Sequence, residues 1–220
     1  MSSIEDDFYF GEFEGIWEQE DETKQKTKQE IKEEKYRLKL LEFSDRHYLQ
    51  ARAAKTILNI SLPKQDQEFF IIAMNVFSQF AFILTILELE GRIEELYVAT
   101  YHTQKEIISM IESIIKSGKI EKCTMIVSNM IPSWKPEVSD ALSNLQESSN
   151  GQFEVIFAQN HAKISCVKTA KGNYYVVSGS GNVTKANQKM EQYNFTNSEE
   201  LYKFYTEWFE DQRKPLTKRP

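Results

Sequence analysis

From residue 62 onward, the apolar residues of this 220-residue chain alternate between two rhythms. Compact runs at 68–74 (EFFIIAM), 93–100 (IEELYVAT) and 120–127 (IEKCTMIV) have the length of strands. The unbroken FFIIAM predicts a strand covered on both faces. Between these runs, apolar residues fall at helical spacing. Phe80, Phe82, Ile83, Ile86 and Leu87 predict a helix over 78–90 that stops at Gly91, a C-terminal cap. Thr103 and Glu106 have the spacing of a capping box for a second helix carrying Ile107, Ile108, Ile111, Ile114 and Ile115, closed at Gly118. Pro136 suits the first turn of a third helix with Val138, Leu142 and Leu145 on one face. Two further apolar runs flank Gly172-Asn173 as the arms of a hairpin. Asn197 or Ser198 caps a last helix whose stripe of Leu201, Phe204, Tyr205, Trp208 and Phe209 is assigned to the core. This alternation predicts an α/β sandwich.

The remaining segments are less regular. Residues 24–61 are expected to be a helical extension, from the spacing of Leu38, Leu41, Tyr48 and Ala51 and the charge pairs of KQEIKEEKYRLK, with a possible break at Ser44-Asp45. Arg37, Arg46, Arg52 and Lys55 on it are candidates for a nucleic-acid channel, although exposed helices commonly carry such charges for solubility. Residues 1–23 form an acidic tail that also holds Phe8, Tyr9, Phe10, Phe13 and Trp17, so both disorder and docking on the body or a partner are open readings. Residues 213–220 form a short basic end. The domain proper is 62–212.

Composition narrows the function classes. A net charge of −6 argues against a general basic coat for nucleic acid and leaves room for a local basic groove. Cys123 and Cys166, the two cysteines, sit in apolar strand-like runs without CxxC spacing and read as reduced core residues of an intracellular, cytoplasmic protein. The acidic start MSSIEDDF is unlike a secretory signal, and no apolar run reaches membrane-spanning length, so no membrane partner is expected.

The chemistry concentrates between 157 and 195. His161 and Lys163 are two apart, which on extended backbone points both side chains one way. Ser180 and Asn182 repeat that spacing within the glycine-rich Gly179-Ser180-Gly181-Asn182, and Glu191 follows. If the hairpin pairs, an imidazole, an ammonium, a hydroxyl and an amide meet at one end. Such a set suits phosphoryl chemistry: histidine attacks phosphorus or protonates a leaving oxygen, and the other groups bind non-bridging oxygens. Neither metal nor cofactor is needed. The plainer reading is a hairpin with a polar solvent face. Thr100, Tyr101, His102 and Ser128 fall at strand ends where open sheets collect ligands. His102 is a candidate second acid or phosphate contact.

His161-Ala162-Lys163, then Gly179-Ser180-Gly181-Asn182, then Glu191, resembles the phospholipase D superfamily signature: HxK, a downstream GSxN and a glutamate. One copy is present, as in the small nucleases and phage or mobile-element members. The likeness extends over about 62–209. It implies a PLD-like mixed sheet flanked by helices. It further implies His161 as nucleophile or its acid partner, Lys163 and Asn182 as phosphate ligands, Ser180 as a further ligand and Glu191 as the group orienting His161. A single motif implies a two-fold homodimer with the site at the interface, acting as a metal-independent phosphodiesterase, most directly a nuclease, in a bacterial or phage-infected cell. Two departures stand against full agreement. Lys168 occupies the position of a family aspartate, and the HxK-to-GSxN interval is longer than usual. The alternative is a degraded site on a protein that binds DNA or serves as an assembly partner. A dinucleotide loop at GSGNVT fares poorly, because its third glycine is missing and Glu191 is too near.

Overall fold

The computed structural model describes residues 39–43, 46–51, 61–73, 78–184 and 190–214, the first two segments as backbone only. Strand β4 (Ile93–Thr100) is an interior strand, third from the β6 edge of the sheet, and its burial on alternate faces shows why the sheet needs cover on both sides. Leu96 and Val98 belong to one buried cluster and Ala99 to another, with Tyr97 packed against the second. The first face is covered by α1 (Phe80–Glu90), α2 (Lys105–Lys116) and α4 (Pro136–Ser148), through Phe82, Ile86, Ile111 and Leu142. The second is covered by α5 (Glu199–Arg213), through Tyr202 and Phe209. Phe82 has no exposed surface and stacks its ring 5.0 Å from Tyr193 and 5.3 Å from Phe195, so its truncation to alanine would cost about 3–5 kcal/mol.

The other strands are β1 (Lys39–Phe43), β2 (Arg46–Ala51), β3 (Gln67–Ala73), β5 (Ile120–Ser128), β6 (Phe153–Ala158), β7 (Ile164–Thr169), β8 (Tyr174–Gly179) and β9 (Glu191–Asn197). A short α3 (Ile131–Trp134) precedes α4. Among the described residues the sheet has the order β1-β2-β3-β9-β8-β7-β4-β5-β6. β4, β5 and β6 are parallel, as strands linked by helices must be, while β7, β8 and β9 form antiparallel ladders between β4 and β3. It is a mixed sheet flanked by helices. The carboxyl ends of β4, β5, β6 and β8 and the amino ends of β7 and β9 therefore meet along one rim.

Four expectations change. Two stretches of the expected helical extension, 39–43 and 46–51, are strands; the rest of 24–61 other than residue 61 lies outside the described residues. β1 and β2 pair antiparallel with Phe43 opposite Arg46, and β2 runs parallel to β3, so the backbone edge of β3 is satisfied by a ladder where helical spacing of a few apolar residues had suggested otherwise. In β3, Phe69, Ile71 and Ala73 are buried but Ile72 is 46% exposed, so that strand is fully covered on one face only. The capping box at Thr103 does not form. Gln104 takes the cap position without a side-chain bond, and Thr103 Oγ1 is buried with no hydrogen-bond partner among the described residues. In α5, Ser198 does cap Leu201 N, yet Phe204 is 66% exposed and it is Tyr202, with its hydroxyl on Glu95, that enters the core. The acidic tail 1–23 and residues 215–220 lie outside the described residues.

No helix among the described residues is long and apolar enough to cross a membrane. Cys123 and Cys166 are buried free thiols, and burial pushes the Cys123 thiol up to about 12 and raises that of Cys166 further.

Candidate active site

The rim is organised by two side chains at the end of β4 and just before β7. Thr100 Oγ1 shares its one proton between the His102 carbonyl at 2.9 Å and Asn182 Oδ1 at 3.3 Å, and accepts from Val183 N at 3.0 Å. One buried hydroxyl thus fixes both the β4 loop and the glycine-rich loop. Asn160, also buried, donates to the carbonyls of Thr100 (3.1 Å) and Ile126 (3.3 Å) and accepts from Ala162 N at 2.8 Å. It clamps the HxK segment to β4 and β5. The sequence had marked Thr100 only as lying at a strand end where ligands gather, and had not marked Asn160; for Asn160 a local signal existed, since Asn accepting from the amide two residues on is an Asx turn.

His161 and Lys163 lie in the connection before β7, not in the strand itself, which begins at Ile164. They still meet: Lys163 Nζ is 3.2 Å from His161 Nδ1 and donates to the His161 carbonyl at 2.9 Å. The His161 ring is exposed and packs on Tyr101 with centroids 4.8 Å apart, and Lys163 Nζ stands 5.9 Å from the Tyr101 centroid. Partial burial lowers the Lys163 ammonium from its ordinary value, with nearby Glu191 working in the opposite direction. Lys163 forms no ion pair with a carboxylate among the described residues.

Asn182 keeps its amide N–H groups without a protein partner among the described residues, because only its Oδ1 is engaged, by Thr100. Gly179 has a packing reason. A Cβ there would lie 2.7 Å from the Tyr193 ring and closer still to the Gln192 carbonyl oxygen. Its own amide donates to the Lys163 carbonyl at 3.1 Å, tying the GSxN loop to HxK. Gly181 is buried behind Asn182.

Three expected roles are placed differently. Ser180 Oγ donates to Glu191 Oε2 in a short hydrogen bond and accepts from Gln192 N at 3.0 Å, so it ties the loop to β9. Glu191 is accordingly bound to Ser180 and not to His161. His102 is engaged by Lys135, whose Nζ donates to its Nε2 at 3.2 Å. Burial and Lys135 hold the His102 imidazole below its usual pKa, hence neutral, and its Nδ1 is buried without a hydrogen-bond partner among the described residues. Lys168, five residues from Lys163, is about 16 Å away along the strand and pairs with Glu94 at 3.0 Å and Glu95 at 3.7 Å. Residues 185–189 of the loop after Thr184 lie outside the described residues.

No family model matches the chain, and no curated protein matches it in sequence. Solved structures do resemble it. Nuc from Salmonella typhimurium, a phospholipase D family member, matches with a TM-score of 0.47 at 15% identity, over 66% of this chain and 94% of its own. Phosphatidylserine synthase from Haemophilus influenzae matches with 0.48 at 10% identity, over 73% of this chain and 40% of its own. Polyphosphate kinase from Porphyromonas gingivalis matches with 0.51 at 13% identity, over 70% of this chain and only 27% of its own. At these identities, what the kinase shares with this chain is the fold of its matching portion, an α/β mixed sheet flanked by helices.

Proposed function

We propose that the chain is a single-motif member of the phospholipase D superfamily that cleaves a phosphodiester, most directly in a nucleic acid, through a covalent phosphohistidine on His161. The observation that carries this is the cation at the rim. Lys163 is held against His161 Nδ1 with no carboxylate partner among the described residues, and Asn182 offers free amide N–H groups on the same rim. Together they form an anion site around a nucleophile. As it stands, Nδ1 accepts from Lys163, which puts the ring proton on Nε2. A phosphate offers Lys163 stronger acceptors and frees Nδ1 to take the proton, with Glu191 the carboxylate near Lys163, so that Nε2 becomes the attacking atom. The new N–P bond then forms as the P–O bond breaks. The departing oxygen takes a proton from an acid, and water later attacks the phosphohistidine to regenerate the ring. Supplying that acid from a second His161 across a two-fold axis makes the working unit a homodimer.

A second reading has its own support: Glu191 is engaged by Ser180 and not by His161, so the same rim would hold a phosphodiester without turning it over. Labelled DNA and RNA and a bis-aryl phosphodiester, incubated in excess EDTA, separate the two. Cleavage by the native chain that falls by about four orders of magnitude in His161→Ala supports hydrolysis. Binding without cleavage, unchanged in His161→Ala and lost in Lys163→Ala, supports the binder. Sedimentation velocity of the same samples reads the dimer.

A further inference from the structure

We infer that Trp134, Tyr101 and Lys135 form a second subsite beside His161 that takes an unpaired nucleobase and its adjoining phosphate, which makes single-stranded nucleic acid the ligand class. The inference rests on the phosphodiester reading of His161 and Lys163 and extends it outward along the rim. The aromatic strip is continuous. The His161 ring lies 4.8 Å from Tyr101, and Tyr101 meets Trp134 edge to face at 5.7 Å. Trp134 nevertheless leaves 53% of its surface in water.

Its mount is rigid. Trp134 N donates to the Met130 carbonyl at 3.0 Å, Lys135 N donates to that of Ile131 at 2.8 Å, Ile131 is buried at the base, and Pro136 starts the next helix. The backbone beneath the indole is thus fixed and its edge-to-face contact with Tyr101 sets the ring's direction, which lowers the ordering cost of placing a flat ring on it. Charge then selects the ligand. Lys163 stands at one end of the strip and Lys135 at the other, and neither forms an ion pair with a carboxylate among the described residues. Lys135 is held by the neutral His102, a partner that positions the ammonium without cancelling its charge. Rings between two uncompensated cations suit alternating bases and phosphates. A duplex would have its bases already stacked on one another, so the exposed face of Trp134 favours a single strand.

The test is fluorescence anisotropy with a labelled five-nucleotide oligothymidylate and an abasic strand of the same length, in a His161→Asn background that prevents turnover. The base-bearing strand is expected to bind about tenfold more tightly than the abasic one. Trp134→Ala should erase that difference, and Trp134→Phe should restore most of it. Lys135→Ala should weaken both strands and flatten their salt dependence. Equal affinity for the two strands, or a Trp134→Ala variant that still distinguishes them, overturns the base subsite while leaving the phosphate site standing. Failure of both strands to bind overturns the phosphodiester reading and this inference with it. Binding to anionic phosphatidylglycerol vesicles that Trp134→Ala removes, without base preference on strands, would assign the strip to lipid instead.

Discussion

One lysine lies just before the start of strand β7 and another near its end, and the two have opposite electrostatic fates. Lys168, at the carboxyl end, pairs with Glu94 and Glu95. Its surroundings repeat the pattern: Arg92 with Glu121, Lys171 with Glu90 at 3.9 Å, Arg213 with Glu154 at 2.6 Å. Lys163, just before the amino end, leans on a histidine and a carbonyl, and Lys135 across the same rim leans on another histidine. Among the described residues around Lys168 most cations are neutralised within the chain, Lys119 and Lys122 excepted; Lys163 and Lys135 at the other end are left to a ligand. In a chain with a net charge of −6, the local disposition of carboxylates therefore says more about anion binding than the total does.

The same contrast explains the residue that departs from the family signature. Lys168 stands where the resemblance expects an aspartate, but it lies at the neutralised end, facing two glutamates. The exchange is compensated within its own neighbourhood and does not reach His161 or Asn182. Exchanging the two lysines for alanine should break the symmetry. Lys163→Ala is expected to lower kcat/KM, or the affinity for a phosphodiester if the site does not turn over, by about 100-fold or more. Lys168→Ala should leave either quantity within about twofold and shift the unfolding free energy by no more than about 1 kcal/mol, since its pairs are partly solvated. Lys168→Asp, although it installs the residue that the resemblance expects, should be less stable than Lys168→Ala, because it sets a third carboxylate beside Glu94 and Glu95. Loss of turnover in Lys168→Ala would mean that the two ends are coupled.

A second effect tests whether the rim is as tightly built as its free cations require. Gly179→Ala drives a Cβ into the Gln192 carbonyl and the Tyr193 ring, neither of which can give way without opening the β8–β9 ladder. The expected cost is about 3 kcal/mol in denaturant unfolding. Because Gly179 N also donates to the Lys163 carbonyl, substrate affinity should fall along with stability. A stable Gly179→Ala with normal binding would show that Asn182 and Lys163 are positioned independently of that loop.

The fold and the motif were legible to different depths. β4, β5, α2, α4 and the β7–β8 hairpin follow from periodicity, because each buries a face long enough to show it in the sequence. β1 and β2 did not follow, since a few leucines at helical intervals are equally compatible with paired strands, and only the open edge of β3 decides between them. HxK, GSxN and Glu191 stood out as a linear pattern. Their bonding did not. Glu191 joins Ser180, Lys135 joins His102 from 33 residues away, and Trp134 joins Tyr101, all contacts created by the rim and invisible to local spacing. Thr103 shows the converse: the capping-box pattern is present, but its hydroxyl is buried behind the β4 loop and the helix starts without it.

The smallest expected effect is also the one that isolates the neutral partner of Lys135. The folded state holds the His102 imidazole below its unfolded pKa through burial first and Lys135 second. A depressed pKa means that the unfolded chain takes up the proton first. The contribution of His102 is thus present above the unfolded value near 6.5 and is lost as pH falls through the lower folded value. Unfolding free energy should decline between pH 7 and 5 more steeply in the native chain than in His102→Gln, which still accepts from Lys135, with a difference under about 1 kcal/mol across that window. Phosphodiester affinity over the same range should fall less in His102→Gln, because protonating His102 would set two cations 3.2 Å apart and turn Lys135 out of place. Identical slopes in both would mean that a charged His102 is tolerated beside Lys135. In that case a neutral His102 is not what keeps Lys135 in place on the rim, and Lys163 alone among the described residues near His161 would carry the argument for a ligand-directed cation.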